Sequence, residues 1–163
     1  MRVALFPGTF DPLHNGHRNL IERGLTLFDR LVVAVAAGHH KNALFSRESR
    51  LELVAAATED LPGVKVVPFD GLLVDVAKAE EATVLLRGIR TAVDLDYERS
   101  MVFMNHAMDP DLETVFLLAD DAIGPITSSL VREIAKLGGD VAPFVPAPVF
   151  DRITVRLREM DGS

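Results

Sequence analysis

Two histidines, a threonine and two glycines crowd one short stretch, Phe6-Pro7-Gly8-Thr9-Phe10-Asp11-Pro12-Leu13-His14-Asn15-Gly16-His17. Backbone donors, imidazoles and a hydroxyl in one turn suit chemistry on a nucleotide phosphate. The stretch follows the mostly apolar residues 2–6 and precedes a helical pattern with Leu20, Ile21, Leu25 and Phe28 on one face. It therefore reads as strand, tight turn and helix start. A helix start carries N–H groups without intrahelical partners, on which an anion can sit. Gly8 and Gly16 allow the backbone to approach a phosphate closely. The chain has neither G-x-G-x-x-G nor G-x-x-x-x-G-K-[ST], so this is not a dinucleotide fingerprint or a P-loop. A metal site built on His14 and His17 lacks a nearby glutamate or third histidine, which places it below the phosphate reading.

Other polar groups recur after apolar runs. His39, His40 and Lys41 follow the second run, and Arg87 and Arg90 the fourth. Thr127, Ser128 and Ser129 open a late helical pattern. Each group has a plainer reading. The arginines can fork onto one polyphosphate or pair with Asp94 or Asp96. Thr127 or Ser128 can bind an anion at a helix start or simply cap it. Lys41 can be a solvated lysine, and Glu98 can pair with a neighbouring arginine.

These groups need a scaffold that brings them together. Strands are expected over residues 3–6, 31–36, 64–67, 83–86 and 115–118, and helices over 15–28, 47–58, 72–79 and 94–108. Ser46 is placed to cap the second helix. Two more helices follow, one from Ser128 and one over about 147–160. The run 31–36 is continuous and β-branched, as in a strand buried on both faces. Strand–helix alternation predicts a single Rossmann-like, doubly wound α/β domain over residues 1–163, with a five-stranded parallel sheet and helices on both faces. In such sheets ligands bind beyond the carboxyl ends of the strands, where the polar groups above would converge.

Bulk properties narrow the partners. Seventeen basic against 24 acidic residues give a net charge of −7, the wrong balance for a duplex nucleic-acid binder. The chain has no cysteine, which excludes disulfides, thiol nucleophiles and Cys-ligated zinc. It shows no signal-peptide pattern and no apolar run of the roughly 20 residues that span a bilayer. A cytoplasmic protein without nucleic-acid or membrane partners is expected.

His14-Asn15-Gly16-His17 resembles the HxGH signature of the nucleotidyltransferase superfamily. The longer PGTFDPLHNGH, Lys41, Leu86-Arg87-Gly88-Ile89-Arg90, the region from Asp94 to Glu98, and Ile126 to Glu133 together resemble the phosphopantetheine adenylyltransferase family over nearly the whole chain. Two positions depart from that pattern. His14 stands where that family often has threonine, and Ile123-Gly124-Pro125 stands where an aromatic-serine-phenylalanine stretch is common.

The resemblance implies transfer of AMP from ATP to 4′-phosphopantetheine, with Mg²⁺ and as a homohexamer. It implies that His17, Lys41 and Thr9 are catalytic. Thr9, Phe10, His17, Gly88, Ile89, Arg90, Glu98, Ile123, Gly124, Pro125, Ile126, Thr127, Ser128 and Ser129 would bind ATP. Thr9, Lys41, Leu73 and Arg87 would bind the acceptor. Magnesium would bridge ATP phosphates rather than sit in a protein cage. Val102, Phe103 and Met104 would supply either an interface or core. The rival readings are a nicotinate-mononucleotide adenylyltransferase or cytidylyltransferase, and a non-catalytic nucleotide-binding module.

Overall fold

A computed structural model describes residues 1–38 and 43–161. Five strands, β1 (Val3–Gly8), β2 (Arg30–Ala36), β3 (Val64–Phe69), β4 (Val84–Ile89) and β5 (Glu113–Leu118), form one parallel sheet in the order β3-β2-β1-β4-β5. Six α-helices accompany them: α1 (Asn15–Leu27), α2 (Arg47–Ala56), α3 (Leu73–Ala79), α4 (Ala92–Met108), α5 (Ser128–Lys136) and α6 (Ala147–Asp161). This is the Rossmann-like arrangement expected from the alternation of elements.

The two-residue period of the strands divides the apolar side chains between two layers. Ala4, Phe6, Leu31, Val33, Val35 and Leu86 pack with α1, α2, α5 and α6 on one face. Val3, Leu5, Val32, Ala34 and Leu85 face the other way, against Val74 and Ala77 of α3. Leu31 to Val35 are all buried, which explains why that segment is apolar at every position. Ser46 caps α2 as anticipated, its hydroxyl accepting the Ser49 N–H at 3.2 Å.

Strand ends differ from the sequence expectation. β1 runs on through Pro7 and Gly8, and β4 through Arg87, Gly88 and Ile89, because the ladders continue after the apolar run stops. Gly8 lies opposite Val35, and Ile89 opposite Leu118. Arg87 therefore belongs to a strand and does not follow one. A short 3-10 turn over Ala142–Phe144 also went unanticipated.

The chain leaves β1 toward β2 on one side, while β4 pairs with β1 on the other. The crevice beyond these two carboxyl ends is the switch point where such sheets take ligands. Among the described residues, no helix is long and apolar enough to cross a membrane.

Candidate active site

A cleft of about 640 Å³ opens at this switch point. The end of β1, the start of α1, the end of β4, the first turns of α4 and the 119–128 segment line it. His14, His17, Arg87, Arg90 and Ser128 come together there from three distant parts of the sequence.

The two histidines cap α1 with each other. His14 is the N-cap: its Nδ1 accepts from Gly16 N–H at 3.1 Å and His17 N–H at 3.4 Å. His17 reaches back, its Nδ1 accepting the His14 N–H at 3.2 Å. This is the reciprocal capping geometry usually made by a hydroxyl and a carboxylate. The rings stack with centroids 3.7 Å apart.

Burial, with Arg90 nearby, lowers the His14 pKa to about 4. Burial also holds His17 well below the ordinary histidine value, helped by His14, Arg90 and Arg87. Both rings are therefore neutral at pH 7. Since each Nδ1 is an acceptor, each Nε2 carries the proton and is a donor. Two donors thus remain after the helix start has been satisfied, at a site lined by arginines.

Arg87 and Arg90 both pair with carboxylates, but with different ones. Arg87 forks onto Glu98, donating from Nε to Oε2 at 2.9 Å and from Nη2 to Oε1 at 2.5 Å. Its Nη1 donates to the Pro7 carbonyl at 3.1 Å. Two of its five N–H groups remain. The partner is Glu98, not Asp94 or Asp96. Arg90 stands 3.4 Å from Asp94 and is more exposed.

The late serine segment also opens on the cleft. Thr127 caps α5 by accepting the Leu130 N–H at 3.1 Å. Ser128 donates to the Pro12 carbonyl at 2.9 Å, which joins the start of α5 to the β1–α1 turn. Ser129 accepts a bond from Arg132 at 3.3 Å. The carbonyl of Ile123 would lie 3.5 Å from a side chain at Gly16, so the 119–126 segment covers the start of α1. Ile123, Gly124 and Ile126 line the cleft, and Gly124 and Pro125 line a shallower hollow beside it. Gly88 lines the cleft too.

Thr9, Phe10, Leu73, Ile89 and Ser129, all expected at the site, lie apart from the cleft lining. Phe10 is buried against the Phe6 and His17 rings and supports the second imidazole edge-on, with centroids 5.0 Å apart. Ile89 is buried at the end of β4, and Leu73 packs half-buried against the α3 side of the sheet. Thr9 sits half-buried directly after β1. Lys41, with His39 and His40, lies outside the described residues.

The sequence left three structural groups without a role. Asp11 is buried, and its two carboxylate oxygens accept the N–H groups of Leu44 and Phe45 at 2.8 and 2.9 Å. Arg132 donates to the Asp11 carbonyl. Arg50 is buried under the ends of β1 and β2. Asp11 had a signal, since a carboxylate inside an apolar turn needs donors. Arg50 had none.

A family model described as cytidylyltransferase-like matches residues 5–134. A phosphopantetheine adenylyltransferase of Moorella thermoacetica is 47% identical over 156 residues, 96% of this chain and 97% of that one. The chain belongs to the phosphopantetheine adenylyltransferase family. A family member from Acidovorax sp. (strain JS42) is 46% identical over 95% of this chain and 94% of its own. Solved structures share the fold at much lower identity. One is a putative nicotinate-nucleotide adenylyltransferase from Vibrio parahaemolyticus, with TM-score 0.70, 17% identity and coverage of 94% and 99%. Another is a bifunctional NMN adenylyltransferase/ADP ribose pyrophosphatase from Francisella tularensis, with TM-score 0.73 and 14% identity. It is covered over 48% of its length, against 94% of this chain.

Proposed function

We propose that this chain transfers the adenylyl group of ATP to 4′-phosphopantetheine, giving dephospho-coenzyme A and pyrophosphate. The observation that carries the reading is the neutral histidine pair at the start of α1, which keeps two N–H donors beside Arg87 and Arg90. Family membership supplies the acceptor.

The acceptor's own phosphate is the nucleophile. Its second pKa is about 6, so it is largely dianionic at neutral pH and needs no protein base. One of its oxygens bonds to the α-phosphorus of ATP as the bond to the β-phosphate bridging oxygen breaks, and that electron pair leaves with pyrophosphate. The protein's part is positioning and stabilisation of developing charge.

In this reading the Nε2–H groups of His14 and His17 meet the α-phosphate, and the Thr9 hydroxyl orients the two phosphates. Arg87 offers its two remaining N–H groups to the acceptor phosphate, a role the family resemblance gives to Lys41 as well. Arg90 and the first turn of α5 hold the leaving pyrophosphate. Glu98 acts on the acceptor phosphate through its grip on Arg87.

The donors among the described residues do not fit a resident metal. Among the described residues no three His, Asp or Glu side chains gather in a metal-binding group. Asp94 and Glu98 beside the cleft already pair with arginines. Magnesium is part of the substrate in this reading: it neutralises ATP phosphate charge through substrate oxygens and water.

We further propose a cytoplasmic homohexamer. Its support is the outer face of α4, where Phe103 and Met104 are 72% and 54% exposed while Val102 is half-buried. Sedimentation as a monomer would remove the hexamer.

The deciding assay is pyrophosphate release from ATP and Mg²⁺, with 4′-phosphopantetheine or nicotinate mononucleotide as acceptor. Release with the first alone is expected. Release with the second alone would overturn the acceptor.

A further inference from the structure

We propose that Arg50 is a positioning residue for adenylyl transfer and acts through Thr9. This rests on the reading above, in which the Thr9 hydroxyl meets the phosphates.

Arg50 lies on α2 and is 2% exposed. Its Nη1 donates to the carbonyls of Thr9 at 2.7 Å and Ala36 at 2.8 Å, and its Nη2 to the carbonyl of Ala37 at 2.7 Å. No carboxylate hydrogen-bonds to it among the described residues, and its buried Nε has no partner there. A buried guanidinium whose hydrogen bonds all go to carbonyls is costly, even with the Asp11 carboxylate favouring its charge. A leucine or methionine would fill the space under the sheet more cheaply. What neither can do is tie three carbonyls together just where the β1–β2 ladder ends, after the Gly8–Val35 pair.

Thr9 is held from a second side. Gly38 has φ +61°, and a Cβ there would stand 3.3 Å from the Thr9 methyl and 3.3 Å from Arg50 Nη2. The methyl group therefore faces Gly38. With β-branching stiffening χ1, the hydroxyl is confined to the remaining directions. Among the described residues no group hydrogen-bonds to that hydroxyl. The next residue, Phe10, has φ 51°, a left-handed conformation that non-glycine residues seldom adopt. The carbonyl that Arg50 grips belongs to the peptide plane leading into that residue. Arg50 thus fixes the backbone that carries Thr9, while Gly38 bounds its methyl group, both from outside the cleft lining.

A double-mutant cycle on kcat tests this, with thermal melting run alongside to track folding. Arg50→Lys should lower kcat about tenfold and change KM for ATP little. In a Thr9→Val background, which keeps the shape and removes the hydroxyl, the same change should cost less than about twofold. Equal losses in both backgrounds would overturn the proposal, as would wild-type kcat in Arg50→Lys. Should Arg50→Lys not fold, Gly38→Ala presses on the same methyl group and runs through the same cycle, with the same two outcomes. Wild-type kcat in Thr9→Val would remove both the Thr9 role and this inference. The transfer reaction itself stands or falls separately, on pyrophosphate release by the unmodified protein.

Discussion

Helices α1 and α4 both begin at the rim of the cleft, and both close their first turn with a reciprocal cap, but in opposite chemistry. At α1 two imidazoles accept each other's backbone N–H groups. At α4 Thr91 accepts the Asp94 N–H and Asp94 accepts the Thr91 N–H, each at 3.2 Å. A carboxylate can only accept, whereas an imidazole accepts at one nitrogen and donates at the other. The start of α1 is therefore satisfied and still offers two donors. The start of α4 spends its charge on the arginines of the cleft, through Asp94 on Arg90 and, one turn later, Glu98 on Arg87. The choice of cap decides what a helix start has left for a ligand.

His17→Glu breaks the contrast most directly. Glutamate at this position of a cap is an ordinary partner for the N-cap N–H, so the helix start survives while the donor becomes an anion. Loss of one transition-state donor, as in His17→Ala, should lower kcat on the order of 10²–10³-fold. His17→Glu should fall further, with the melting temperature held within a few degrees. Retention of more than about a tenth of kcat in either variant would remove the donor role.

Acid separates the two helix starts next. In the unfolded chain a histidine titrates near 6.5, whereas His14 in the fold titrates near 4 and His17 is also depressed. Below pH 6.5 the unfolded state therefore binds protons that the folded state refuses. Stability is fully present above 6.5 and is lost as pH falls toward 4, by on the order of 3 kcal/mol from His14 alone. Melting temperatures between pH 7 and 4.5 report this. A flat profile would mean that the fold accepts the charged rings.

Glu98→Gln sharpens the α4 side. It removes a charge-assisted fork, which should raise KM for phosphopantetheine about tenfold with a smaller change in kcat. A rise confined to KM for ATP would instead show Glu98 acting on the nucleotide without Arg87.

Thr91→Ala carries the smallest effect. Loss of the cap should cost about 1 kcal/mol of stability, read as a lowered melting temperature, with kcat within about twofold of wild type. A loss of kcat as large as that of His17→Ala would erase the distinction between the two caps.

The outline of the fold was legible in the sequence, and so was part of the cleft lining, His17, Arg87, Gly88, Arg90, Glu98, Thr127 and Ser128 among it. Apolar runs alternating with helical periodicity identified all five strands and all six α-helices, because burial imposes those periods locally. Strand ends were not legible. Gly88 and Ile89 join β4 through a ladder with β5, which no local pattern announces. Glu98 was readable as an arginine partner, but its choice of Arg87 over Arg90 depends on how α4 crosses β4.

The sequence alone determined which chemical groups exist and roughly which strand end each follows, since residue type and periodicity are properties of neighbours along the chain. It thereby pointed Thr9, His17, His39, His40, Lys41, Arg87, Arg90 and residues 127–129 toward one sheet edge, and of these His17, Arg87, Arg90, Thr127 and Ser128 line the cleft. Only the tertiary structure decided their states. It makes the histidines each other's caps, so that backbone contacts fix their tautomers and burial keeps them neutral. It divides Arg87 between Glu98 and the Pro7 carbonyl, and it sets Arg50 beneath Thr9. The caps themselves are local bonds, but the desolvation that keeps the rings neutral and the bonds from Arg87 to Pro7 and from Arg50 to Thr9 join distant parts of the chain and do not exist until it has closed on itself.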